Sequence, residues 1–143
     1  MNRYLIDGPI TARKIASEIE TLGKRKDTGG HSIFLGQVRN DLSEGRKVKA
    51  IEYSAYEKMI NSEAEKIKDA IFNEFTDVQE IVILHSVGSV KAGEISMFIM
   101  VSSGHRDHAT RACKELVELI KKKLPVWKKE VYEDDTHIWS GNT

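Results

Sequence analysis

Apolar residues recur along this chain with two periods, and the switches between them divide it into elements. Ala12, Ile15, Ile19 and Leu22 fall at helical spacing, which predicts a short helix over Thr11 to Leu22 with Gly23 as its stop. The "GKRKDTGG" that follows is a polar loop ending in glycines. "HSIFLGQV" and "RKVKAIEYSAY" read as strands, and "RNDLSEG" between them has the turn chemistry of a long hairpin loop. Ile60, Ala64, Ile67, Ile71 and Phe75 form one stripe, so Glu57 to Phe75 is predicted helical. Two strongly apolar strands come next, Val78 to Val87 and Glu94 to Ser102, joined through "GSVKAG".

A second long helix is predicted from Asp107, a capping residue, with Ala109, Ala112, Cys113, Leu116, Val117 and Ile120 at the 3.6 period. Pro125 ends it, because the ring clashes with the preceding turn and offers no N–H. "VWKKEVY" reads as a last strand and "EDDTHIWSGNT" as a polar tail with one aromatic anchor. The expected class is α+β, a single domain over residues 1–143 with a mostly antiparallel sheet, two long helices and a short N-terminal one. From residue 47 the order strand, helix, strand, strand, helix, strand suggests a ferredoxin-like arrangement on pattern alone.

Composition narrows the function classes. Lys and Arg (22) balance Asp and Glu (22), so no global field draws the chain to nucleic acid or to a membrane surface, and any anion site must be local. The longest apolar run, Ile95 to Val101, is too short to span a bilayer, and "MNRYLIDGPI" has neither the apolar core nor the cleavage site of a secretory signal. A cytoplasmic protein is expected. Cys113, the one cysteine, excludes an internal disulfide and lies on a predicted buried stripe.

Against this neutral background "KKKLPVWKKE" gathers five lysines at residues 121–130. On a helical wheel Lys122 points to solvent, Lys121 sits at the edge of the apolar stripe and Lys123 leans toward it. Lys128 and Lys129 follow the proline on an extended segment, whose alternation sends them to opposite faces. Two ammonium groups meeting at ~6 Å in a medium of effective dielectric ~20 repel by roughly 3 kcal/mol, about two pKa units for one of them. A lysine so perturbed acts as an acid or base, or holds a phosphate. The other reading of the cluster is a set of cations favoured by a helix C-terminus.

"SSGHRDHA" runs from a strand end through a glycine into a helix, where free N–H groups attract anions and His105 and Arg106 add donors. His105 and His108 lack a completing carboxylate or cysteine set, so no metal is expected. Arg39, in "GQVRN", stands at the end of an apolar strand, where side chains project into clefts or pair on the surface. Trp127 and Trp139 read as core and tail anchors.

Taken together, "GQVRN" at 36–40, "IEYSAYEKM" at 51–59, "GHRDHA" at 104–109 and "KKKLPVWKKE" at 121–130 resemble the catalytic (large) subunit family of molybdopterin synthase. The resemblance implies a hammerhead-type α+β fold and sulfur transfer in molybdenum cofactor biosynthesis, without a cofactor of the protein's own. It implies a homodimer binding two copies of a small ubiquitin-like sulfur carrier, whose C-terminal thiocarboxylate supplies sulfur to cyclic pyranopterin monophosphate to form molybdopterin. By the same resemblance Lys121 and Lys128 are the catalytic lysines. Gln37, Val38, Arg39, His105, Arg106, Lys129 and Glu130 match positions that line the substrate pocket. Ser86 stands where the family often has arginine, Thr110 where an aromatic is frequent, and the chain ends at Thr143, short of the basic tail some relatives lend to a neighbouring subunit. The reading from another class is an RNA-binding α+β module that uses the Lys121 to Lys129 block and Trp127 as its patch.

Overall fold

A computed structural model describes residues 2–22 and 24–141. The predicted stop at Gly23 and the end of the chain at Thr143 lie outside the described residues. In chain order the elements are β1 (Leu5–Asp7), α1 (Ala12–Thr21), β2 (Gly30–Gln37), β3 (Leu42–Ser43), β4 (Arg46–Ala55), α2 (Glu57–Glu74), β5 (Val78–Lys91), β6 (Ile95–Ser103), α3 (Arg106–Lys123), β7 (Val126–Tyr132) and β8 (His137–Gly141). The α+β class with a mostly antiparallel sheet is as expected; only the β1 to β5 pairing is parallel among the described strands.

The strand order β2-β6-β5-β4-β7-β8 corrects the ferredoxin-like alternative. That arrangement needs β4 and β6 side by side, whereas here β5 separates them. The reason lies in β5. Its first half pairs with β6 from Val78↔Ser103 to His85↔Met97, and its second half pairs with β4 from Gly88↔Tyr53 to Lys91↔Ala50. Gly88, at φ +84°, adopts a left-handed conformation that bends the strand from one partner to the other. "GSVKAG" is therefore mostly strand, and the reversal is confined to Ala92 and Gly93.

The expected hairpin across "RNDLSEG" is also corrected. β2 and β4 stand apart in the sheet, and the hairpin is a local one, Leu42↔Lys47 and Ser43↔Arg46, closed by Glu44 and Gly45 at positive φ. The C-terminal segment read as a tail instead forms β8, paired to β7 from Trp127↔Gly141 to Val131↔His137.

Alternate residues of β6 face two cores. Met97, Ile99 and Val101 join Ile60, Ile67 and Ile71 of α2 and Ala112, Leu116 and Ile120 of α3. Phe98 and Met100 join Leu84 and Ile10, with Ile15 against them from α1 on the other face. Burying a side chain such as Leu116 contributes about 1.5–3 kcal/mol, which outweighs the modest intrinsic propensity of the lysine-rich helix end. The N-cap of α3 is His105, two residues before the predicted cap Asp107, and the helix ends at Lys123 with Leu124 as C-cap before Pro125.

Candidate active site

Lys121 lies in the last turn of α3, one position past fully buried Ile120, and is therefore drawn half into the protein. Lys128 arrives from β7, where it pairs across the sheet with Tyr53 of β4. Both line one cavity of about 260 Å³, together with Gln37, Val38, Arg39 and Glu130. Six of the nine residues expected at the site thus converge from three elements separated in sequence. Burial lowers the proton affinity of Lys121 below the ordinary lysine range, the charge of Lys128 lowers it further, and Glu118 opposes both. Lys122 and Lys123 are exposed, so the expected lean of Lys123 toward the apolar stripe is not made.

Arg39 stands at the cavity mouth, paired to Asp41 at 3.1 Å. Backbone bonds on either side hold that mouth in place: Val38 bonds Glu94 and Gly93, and the Asp41 carbonyl accepts from Val48 N–H. Glu130 accepts a 3.0 Å hydrogen bond from the Tyr132 hydroxyl.

His105, Arg106 and Lys129 are not in the cavity of their own chain. His105 and Arg106 begin α3, roughly 20 Å from Lys121 at 1.5 Å of rise per residue. Nor is that helix start open to a ligand as expected. The Asp77 carboxylate accepts the His105 N–H at 2.7 Å, and Ser103 Oγ accepts from Ala109 N–H at 3.1 Å, so the protein's own groups occupy the anion position. Lys129 emerges on the opposite face of β7 from Lys128, where its Nζ lies 2.8 Å from Glu52 Oε2 and 5.3 Å from the centre of the Trp139 ring.

The same alternation corrects the reading of Trp127 as a core anchor. Trp127 is 47% exposed, because the helix-facing positions of β7 belong to Val126 and Tyr132. With Lys121 and Lys128 turned inward and Trp127 on the other face, the basic block does not make one surface. This removes the physical basis of the RNA-binding alternative.

Sequence reasoning missed the uncharged side of the site. His85 is fully buried, with its Nδ1–H donating to the Ser86 carbonyl at 2.8 Å. Burial lowers its pKa to about 4; the bond to Ser86 opposes this and the Lys121 charge adds to it, so the ring is neutral at pH 7. The Tyr53 ring meets it edge-on at 5.0 Å, and the Tyr53 hydroxyl donates to Ser96 Oγ at 3.0 Å. Alternation in "AIEYSAY" places Ile51 and Tyr53 together, which is a signal for Tyr53; His85 and Ser96 had none. Among the described residues no group of three or more His, Cys, Asp or Glu side chains is placed to hold a metal, and no helix is long and apolar enough to cross a membrane.

This mostly antiparallel α+β fold is one shared with solved molybdopterin synthases. The X-ray structure of molybdopterin synthase from Staphylococcus aureus matches it with a TM-score of 0.84 and 30% identity, covering 99% of this chain and 98% of that one. The chain belongs to the MoaE protein family, whose pattern it matches over residues 6–123. It is 42% identical over 117 residues to the molybdopterin synthase catalytic subunit of Dictyostelium discoideum, covering 80% of this chain and 73% of that protein. With the Pyrococcus abyssi protein of the same name it shares 39% over 122 residues, 85% of this chain and 80% of that one.

Proposed function

We propose that this chain is the catalytic subunit of a molybdopterin synthase. It converts cyclic pyranopterin monophosphate to molybdopterin with sulfur from the C-terminal thiocarboxylate of a small ubiquitin-like carrier, and it acts as one domain in the cytoplasm. The observation that carries this reading is the meeting of Lys121 and Lys128 in one cavity, with the basicity of Lys121 reduced. A thiocarboxylate is already a nucleophile, so the protein need supply positioning, proton transfer and charge neutralisation. Lys121 gives up its proton more readily than an ordinary lysine, because burial and the charge of Lys128 penalise its ammonium form. Lys128 and Arg39 balance the phosphate charge, and Gln37, Val38 and Glu130 shape the walls. Lys129 acts from outside, holding β7 to β4 through Glu52.

His105 and Arg106 enter the site from a second copy of the chain. β2 is an edge strand without a charged residue, and it exposes Ile33, Phe34 and Leu35 in succession. Antiparallel pairing of two such strands about Ile33 and Phe34 sets Gln37 of one copy opposite Gly30 of the other. A Cβ at Gly30 would come within 3.1 Å of the Arg106 Cα in its own chain, so this pairing carries the second copy's α3 start to the cavity mouth. Two carriers on such a homodimer make a heterotetramer.

The test is reconstitution. The chain is mixed with a thiocarboxylated carrier and the cyclic precursor, and dithiolene product is measured. No product from the unaltered chain rejects the function. A Phe34→Asp variant that remains dimeric in sedimentation rejects the β2 interface.

A further inference from the structure

Ser96 occupies an irregular place in its strand. β2 and β6 pair Gly36 with Met97 and Gln37 with Ile95, so Ser96 is the extra residue of a β-bulge. On a regular strand it would follow Phe98 and Met100 to the face covered by α1. The bulge instead re-aims it into the cavity of Lys121 and Lys128 on the other face. Its side chain is polar yet the residue is only 6% exposed, and Tyr53, 8% exposed, donates to its oxygen at 3.0 Å. Tyr53 is in turn set by the edge-on contact with the buried His85 ring. A serine hydroxyl that accepts one hydrogen bond still has its own proton to give, and no acceptor for that proton is found among the described residues.

The geometry points to Ser96 as a substrate-contacting residue: its hydroxyl, held by Tyr53 as a positioning residue, donates to an uncharged carbonyl-type acceptor bound at the foot of the cavity. The inference rests on the sulfur-transfer reading and deepens it. The lysines and Arg39 recognise charge, which any phosphate or carboxylate satisfies. A fixed neutral donor discriminates by the position of an acceptor, and a hydroxyl that is itself accepting a bond is the stronger donor for it. The acceptor belongs either to the heterocycle of the pterin or to the amide backbone of the carrier tail, and the two sources separate in steady-state kinetics.

The experiment measures kcat and KM for each substrate in Ser96→Ala, Tyr53→Phe, the double variant and Ser96→Thr. Loss of one neutral hydrogen bond predicts that Ser96→Ala lowers kcat/KM by about 3- to 10-fold. A rise in KM confined to the pterin precursor assigns the acceptor to it, and one confined to the carrier assigns it to the tail. Tyr53→Phe has a smaller effect and adds almost nothing to Ser96→Ala, whereas Ser96→Thr, which keeps the hydroxyl, retains most of the activity. Turnover by the unaltered chain tests the sulfur-transfer reading. Given that turnover, kcat/KM values within twofold of it for both substrates in Ser96→Ala overturn the Ser96 assignment alone. So do additive effects of the two single variants.

Discussion

Lys121 and Lys128 approach one cavity from the end of a helix and the middle of a strand, and the charge of one depresses the proton affinity of the other. Burial is the larger cause, so removing Lys128 relieves only part of the depression. In a titration of ¹³C-methylated lysines, the resonance of Lys121 moves at lower pH than those of the exposed lysines. Lys128→Ala shifts its midpoint upward without bringing it to the exposed value. A midpoint indifferent to Lys128 would show that the two ammonium groups do not share a field.

The two lysines that follow Trp127 differ in consequence because they lie on different faces of β7. Lys121→Ala and Lys128→Ala each lower kcat/KM by roughly 10²–10⁴-fold if the groups transfer protons or hold developing charge. Lys129→Ala removes an ion pair with Glu52 on the outer face and costs less than about 5-fold. Equal losses at Lys128 and Lys129, measured in the same reconstituted assay, would contradict this division.

Asp77 substitutes for an external anion at the start of α3. Asp77→Ala removes the acceptor of the His105 N–H and is expected to destabilise the chain by about 1–2 kcal/mol in urea denaturation. The titration of Lys121, at the other end of the same helix, should be unchanged. An Asp77→Ala chain as stable as the parent would mean that water caps the helix equally well.

His85 makes stability depend on pH with a definite sign. Its folded pKa, about 4, lies below the ordinary histidine value of 6.5, so the unfolded chain binds the additional proton between these limits. The contribution of the neutral ring is complete above pH 6.5 and is lost as pH falls toward 4, up to roughly 3 kcal/mol in all. In His85→Gln this part of the slope disappears. Urea midpoints at pH 5 and 7.5 that fall by the same amount in parent and variant would refute the assignment.

The charged half of the site was legible in the sequence because charge is written in residue type: lysines beside a proline, an arginine at a strand end and four short motifs in order. The helices were legible from their stripes to within a residue or two. Strand neighbours were not, since pairing depends on where a strand bends. Nothing in "GSVKAG" tells the bend at Gly88 from an ordinary reversal. The extra residue at Ser96 was equally silent, because a bulge is a property of two strands in register and not of one. Trp127 was misplaced for a different reason: bulk and hydrophobicity suggested burial, but the parity set by Val126 decided the face. His105 and Arg106 matched a family motif, yet the fold of one chain carries them to the far end of α3.

Gly88 has a further consequence for how finely the cavity can be adjusted. On one side of this residue β5 holds β6, with the Ser96 hydroxyl; on the other it holds β4, against which β7 carries Lys128. The gap between the neutral donor and the cationic wall is therefore gauged by a single backbone joint that lines no part of the cavity. A side chain there would be strained at φ +84° and would reset the jaw width of the whole site, leaving every residue that touches the substrate chemically intact.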